Sequence, residues 1–137
     1  TEMCIRARHY FPLRGDPDRF DDLRRLAIFD LLANNTDRKS GHVLAGSDGR
    51  LWAIDNALCF HHQFKVRTVI WDFAGEPIGE GPTADMVRLV EDGLSPILFC
   101  LPDTFVRDAV LTRARAIVEA GELPADGTGR RVPWPLV

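Results

Sequence analysis

Asn34-Asn35-Thr36-Asp37-Arg38-Lys39-Ser40-Gly41 and, further along, Ala53-Ile54-Asp55-Asn56 are the two short stretches that decide the fold. The first is polar and rich in turn formers, so it reads as a loop. Between them lie His42-Val43-Leu44-Ala45 and Leu51-Trp52-Ala53-Ile54, two β-prone runs around Gly46-Ser47-Asp48-Gly49, whose Asp-Gly pair signals a hairpin turn. A hairpin returns the chain on itself. The loop before the first strand and Asp55-Asn56 after the second then share one end of the hairpin, although Asp37 and Asp55 are 18 residues apart.

Upstream, Phe20, Leu23, Leu26, Ala27, Ile28, Phe29, Leu31, Leu32 and Ala33 recur at helical spacing, which predicts a helix from Asp18 to Asn34. Asp21 and Asp22 near its start suit the helix dipole, and its last two turns, apolar nearly all round, are expected to be buried. Asp30 is an acid on that apolar segment. It is expected to be buried and paired, with Arg38 as the candidate partner, in a structural role.

Downstream, Phe64 to Phe73 reads equally as a strand or a buried loop, and Gly75 to Pro82 as a connector. Thr83 is the expected N-cap of a helix over Ala84 to Asp92, and Asp103 that of a helix over Thr104 to Ala120, stopped by Gly121. The tail from Leu123 to Val137, with Pro124, Pro133 and Pro135 around Trp134, is expected to be extended with the Trp docked. Trp52, Phe60, Phe64, Trp71 and Phe73 fall in apolar runs and are read as core rather than as a stacking platform.

Composition narrows the function classes. The chain has 137 residues with 45% hydrophobic and 27% charged residues, which suits one domain, 1–137, with a packed core. A net charge of −3 provides no general field for nucleic acid or an anionic membrane. No apolar run approaches the ~20 residues that span a bilayer, and the layout of a signal peptide is absent, so a cytoplasmic protein is expected. Cys4, Cys59 and Cys100 are read as reduced packing residues. Cys59-Phe60-His61-His62 lacks the second ligand pair of a zinc module, and no Gly-x-Ser-x-Gly elbow exists for serine hydrolysis.

Phosphoryl transfer asks little covalent chemistry of a protein: a carboxylate at the attacking hydroxyl, ligands for the Mg²⁺ on the triphosphate, and a rigid frame. Asp37 and Asp55 supply two carboxylates at one end of the hairpin, Asp37 placed for the nucleophile and Asp55 for the metal. His42, five positions after Asp37, is a further candidate ligand.

Asn35-Thr36-Asp37-Arg38 followed by Ala53-Ile54-Asp55-Asn56-Ala57-Leu58-Cys59-Phe60 resembles the catalytic loop and metal-binding motif of the phosphatidylinositol 3-/4-kinase superfamily, especially its type II 4-kinase branch. Leu23 to Asp30, Asn35 to Leu44, His61 to Gly75 and the Pro133-Trp134-Pro135 end resemble an actinobacterial family of uncharacterised phosphatidylinositol-kinase-like proteins. The resemblance implies an α+β fold, the mostly helical C-terminal lobe of a protein-kinase-like architecture with a small β-hairpin carrying the metal site. It implies ATP and Mg²⁺ as cofactors. It also makes Asp37 the catalytic-loop carboxylate, with Arg38 holding that carboxylate or a phosphate and Lys39 neutralising developing charge. Asp55 becomes the metal ligand and Asn56 stands beside the nucleotide-bound metal.

His42 departs from the pattern, because the kinases carry a metal-binding Asn there and imidazole binds Mg²⁺ poorly. Lys65 and Arg67 are candidates for holding phosphate groups of a substrate, or else form a solvated edge. No phosphate-covering Gly-rich loop is identifiable, and the one candidate strand before the helix, Met3 to Tyr10, has no lysine. The expectation is a C-terminal lobe alone, needing an N-terminal lobe from its parent chain or another subunit. The alternatives are a non-catalytic domain that binds nucleotide or a partner, and a serine/threonine kinase of toxin type.

Overall fold

The computed structural model describes residues 8–97 and 104–137. Among them, four α-helices and a two-stranded sheet make an α+β arrangement built around helix α2 (Phe20–Ala33). Ahead of it, Tyr10–Leu13 form a single turn, α1, and Pro17–Arg19 a 3₁₀ turn capped by the Asp16 carboxylate, which accepts from the Asp18 N–H. The candidate strand Met3 to Tyr10 lies mostly outside the described residues; of its described part, Arg8 pairs with the sheet as an isolated bridge to Ala45, whereas Tyr10 opens α1. Burial explains the difference, since Tyr10 is wholly enclosed and its hydroxyl donates to the Asp72 carboxylate. That burial and that carboxylate both push the phenol's pKa up, so it stays protonated.

Helix α2 buries Leu23, Leu26, Ala27, Ile28, Leu31 and Ala33, along with Asp30. It stops at Asn34, whose φ of 54° places it in the left-handed region. The loop that follows ends in a 3₁₀ turn, Ser40–His42, and leads into β1 (Val43–Ala45), which pairs antiparallel with β2 (Leu51–Ala53) in the register Val43 to Ala53. Gly49, at φ 82°, supplies the positive φ of the connecting turn. The hairpin is therefore where the sequence places it, one residue shorter at each outer end.

Residues Phe64 to Phe73 resolve as an irregular, half-buried segment rather than a strand. Val66, Val69, Ile70 and Phe73 point into the core, and the backbone makes a single parallel bridge, Arg38 to Thr68. Helix α3 (Glu80–Asp92) begins four residues before the expected Ala84. Pro82 sits in its first turn, where a missing N–H costs nothing, and Thr83 is no N-cap: its hydroxyl donates back to the Gly79 carbonyl at 2.7 Å. Helix α4 (Thr104–Ala120) packs against both α3 and α2 and ends at Gly121, at φ 69°. The expected Asp103 cap lies outside the described residues, as do Cys4 and Cys100; Cys59 is a free thiol.

The tail follows the rest of the chain but does not dock its tryptophan. Pro133 is buried while Trp134 is 85% exposed, because the anchors are backbone ones: Ser40 N–H to Leu136 O at 2.8 Å and Thr68 N–H to Arg131 O at 3.0 Å. The Trp71 indole N–H also donates to Arg131 O, at 3.0 Å. Trp52 and Phe64, read as core from the sequence, are half exposed, since a two-stranded sheet and an irregular segment each leave one face uncovered. Among the described residues no helix is long and apolar enough to cross a membrane.

Candidate functional site

The site is set by a buried ion pair beneath it. Arg38 and Asp30 are both 0% exposed, with the guanidinium Nη2 3.0 Å and Nε 3.1 Å from Asp30 Oδ1. Asn35 Nδ2 and Thr68 Oγ1 also donate to that carboxylate. Desolvation pushes the Asp30 carboxyl above its usual value, against the pull of the Arg38 charge and of these hydrogen bonds. The rest of the guanidinium reaches toward the hairpin: Nη1 donates to Ile54 O at 2.9 Å and Nη2 to Asn56 Oδ1 at 2.6 Å. Arg38 thus does not hold the Asp37 carboxylate or face a phosphate. It lashes the end of β2 to the end of α2 from below.

Asn34 does the corresponding work on the other side. It is fully buried, its amide donates to His61 O and Gln63 O, and its side-chain oxygen accepts from the Lys65 N–H. The residue is both a left-handed helix stop and a three-point bracket for residues 61–65. In Asn34→Ala the two buried carbonyls and the Lys65 N–H lose their partner and the positive φ becomes costly, so a loss of about 2–4 kcal/mol in urea unfolding is expected. A loss below about 1 kcal/mol would show that water replaces the bracket.

Above this frame stand Asp37, Lys39, His42 and Asp55. The Asp37 N–H donates to Asn35 Oδ1 at 3.0 Å, and its carboxylate lies 3.3 Å from Lys39 Nζ. His42 joins the two halves: Nδ1 is 2.9 Å from the Asp37 carbonyl oxygen and Nε2 is 3.4 Å from Asp55 Oδ2. The Ile54 N–H donates to His42 O at 2.9 Å, which holds the hairpin's end against the loop. Asp55 itself has φ 54°, a left-handed conformation uncommon for a non-glycine residue. The loop and the end of the second strand therefore converge as the hairpin reading requires.

Fit to a nucleotide-bound divalent cation is uneven across these residues. Asp55 offers a half-exposed carboxylate, the ligand type Mg²⁺ prefers, and His42 offers a nitrogen, which it does not. Asn56, which the resemblance places beside the metal, has its amide engaged, the oxygen by Arg38 and the nitrogen by Ala53 O. Among the described residues no cluster of three or more His, Cys, Asp or Glu could enclose a metal.

A cleft of about 700 Å³ opens next to the loop. Thr36, Leu58 and Phe60 line it, and among the described residues His61, His62, Lys65 and Arg67 supply every ionisable group besides the Cys59 thiol. Asp37 and Asp55 do not line it, but their neighbours do: the Thr36 N–H donates to Leu58 O at 3.0 Å. His61 and His62 stack on each other, ring centroids 4.6 Å apart. Arg113 of α4 ties this segment to α2, donating to Leu32 O at 2.8 Å and His61 O at 3.3 Å. Sequence reasoning missed Arg113 and both asparagines, Asn34 and Asn35. The Asn-Asn pair directly after an apolar helix was the available signal for the asparagines. Arg113 carried none.

No family model matches the sequence, and no solved structure matches it. Protein Rv2133c of Mycobacterium tuberculosis is similar, 36% identical over 116 residues, which cover 82% of this chain and 42% of that protein. The chain therefore spans less than half the length of this relative.

Proposed function

We propose that the chain is the catalytic-loop and metal-binding half of an ATP-dependent phosphotransferase, a kinase-like C-terminal lobe of the phosphatidylinositol 3-/4-kinase type. The observation that carries this reading is the junction made by His42, which brings the Asp37 loop and Asp55 together at one hairpin end beside a cleft rimmed with cationic residues. In the reaction the acceptor hydroxyl oxygen forms a bond to the γ-phosphorus. Its proton passes to the Asp37 carboxylate, and the bond from that phosphorus to the β–γ bridging oxygen breaks, leaving ADP.

Lys39, paired with Asp37, is placed to offset negative charge at the transferring group. Asp55 and His42 would hold the divalent cation, whose role when bound is to neutralise the phosphate oxygens. Lys65 and Arg67 suit an acceptor that already carries an anionic group, whether a lipid headgroup, a protein segment or a small metabolite. A cytoplasmic setting fits the free Cys59 thiol.

A second reading, a non-catalytic domain that binds nucleotide or a partner, is favoured by the nitrogen ligand at His42 and by the commitment of Asn56 to Arg38. The two separate by ADP formation from ATP with Mg²⁺ or Mn²⁺, followed for the chain alone and within any longer parent protein that supplies a nucleotide-gripping lobe. The phosphotransferase reading expects turnover in the longer protein that disappears in Asp55→Ala. Equal background in both, with nucleotide still bound, would establish the non-catalytic role.

A further inference from the structure

We infer that the cleft beside the loop is a proton-linked site for a dianion on an apolar body, a phosphomonoester, in which the stacked His61 and His62 take up one proton as the ligand enters. The inference rests on the phosphotransferase reading only for calling that ligand the acceptor; the binding itself needs no turnover.

The lining carries charge of one sign. Lys65 and Arg67 are exposed cations, and among the described residues no carboxylate lines the cleft. The Cys59 thiol adds no negative charge, since burial and then the charge of Asp30 push its pKa up against the pull of Arg38. Leu58, Phe60 and Val106 supply apolar wall, and about 700 Å³ suits an organic ligand rather than a bare ion.

The cationic residues are held before any ligand arrives. The Lys65 N–H donates to Asn34 Oδ1 at 2.8 Å, and Arg67 is pinned on both sides, its N–H to Asn35 O at 3.0 Å and its carbonyl by the Arg38 N–H at 2.9 Å. The His61 carbonyl accepts from the Asn34 amide and, from α4, from Arg113.

His61 is neutral in this arrangement and has a partner ready for its charged form. The Gln63 N–H can only donate and lies 3.0 Å from Nδ1, so that nitrogen keeps its lone pair and the ring proton sits on Nε2. The Gln63 carbonyl oxygen can only accept and lies 3.3 Å from the same nitrogen. It already accepts from the Asn34 amide and has a second lone pair for a protonated Nδ1, while the exposed Gln63 N–H turns to water. His62, exposed, lies nearly parallel to His61, at 19° with ring centroids 4.6 Å apart. Two imidazolium rings at that separation repel, so the pair takes one proton and titrates as a unit.

Charge sets the sign of the linkage. The groups that face the pair are Lys65 and Arg67 in the lining and Arg113 at the His61 carbonyl, all cations, so a proton added to the empty cleft meets like charge. A bound anion reverses that. Two permanent cations and one acquired proton match a dianion better than a carboxylate or a phosphodiester, each of which carries a single charge. Binding therefore draws in a proton, and affinity falls as pH rises through the range in which imidazole titrates, about pH 5 to 8.

Isothermal titration calorimetry with naphthalenedisulfonate, an aromatic dianion that does not itself titrate in that range, tests the site in two buffers of different ionisation enthalpy. The expected result is uptake of up to one proton per bound probe and binding about tenfold or more weaker at the alkaline end of the range than at the acid end. In the double variant His61→Gln, His62→Gln the uptake and the pH dependence should vanish while Lys65 and Arg67 keep residual binding. A wild-type protein that binds the probe without proton uptake, or does not bind it, overturns the inference whether or not the variant folds. Unchanged pH dependence in the double variant overturns it as well. Phenyl phosphate in solution and vesicles carrying phosphatidic acid present the phosphomonoester free and on a membrane: displacement of the probe by either supports the class and identifies the source, and displacement by neither overturns it. The two readings fail separately. Proton-linked binding without ADP formation keeps the site and removes the phosphotransferase, whereas ADP formation without proton uptake does the reverse.

Discussion

Arg38→Met is expected to lose about 3–5 kcal/mol of folding stability, the cost of leaving one partner of a buried ion pair uncompensated. Small domains have about 5–15 kcal/mol in total, so the variant should sit near the edge of unfolding at ambient temperature. The size follows from the geometry. Asp30 is wholly buried and, among the described residues, loses its only cationic partner, keeping just the Asn35 and Thr68 donors, while Ile54 O and Asn56 Oδ1 lose theirs. A surface Arg–Asp pair would cost about 1 kcal/mol or less.

The double variant Asp30→Leu, Arg38→Met should recover a large part of that loss, because removing both charges removes the desolvation penalty. It should not recover the site, since nothing then ties β2 to α2. Urea unfolding of the two single variants and the double variant gives the coupling energy. Additive losses, or a loss below about 1 kcal/mol for Arg38→Met, would mean that the charge finds water and that the pair does not set the frame.

Asp37→Asn is expected to do the opposite, removing activity while leaving the fold alone. Losing the proton acceptor at the attacking hydroxyl should lower kcat by about 10²–10⁴-fold, with little change in KM for ATP. Stability should move by less than about 1 kcal/mol, because the side chain's partner among the described residues is Lys39, in a partly exposed ion pair. The structural contacts of Asp37 are made by its backbone, which accepts from His42 and donates to Asn35 and survives the substitution. An unchanged kcat in a parent protein that turns over ATP would exclude Asp37 as the base. A Tm lowered as far as that of Arg38→Met would instead give it a place in the frame.

The contrast between these neighbours shows how far a sequence reading reaches. Asp37 and Arg38 form one motif by spacing, and both are expected at the chemistry, yet one is partly exposed beside Lys39 and the other is sealed in the core. Asp30 carried the clue, since an acid in an apolar helix needs a buried cation, and Arg38 is that cation. That inference and the assignment of Arg38 to a phosphate compete, and burial resolves them in favour of the pair. Asn56 follows for the same reason, its amide drawn down by Arg38. The early start of α3 and the exposed Trp134 were not legible. Pro82 reads as a breaker unless it is known to occupy a first turn, and Trp134 reads as an anchor unless backbone bonds have already secured the tail.

By itself the sequence determined the local elements: α2 from its apolar period, the hairpin from Asp48-Gly49 between two β-prone runs, the stop at Gly121, and hence that Asp37 and Asp55 meet at one end. These follow from short-range patterns of propensity and turn chemistry. Tertiary structure alone decided which polar side chains are spent on the frame and which remain available. Arg38, Asn34 and Asn35 are buried and spent on the frame, and Asn56, though exposed, is tied to Arg38, while Asp37, Lys39, His42 and Asp55 are left at the site. The division turns on burial. A buried polar group must be satisfied by whatever the fold brings to it, and partners as distant as Thr68 is from Asp30, 38 residues, leave no mark on the local pattern.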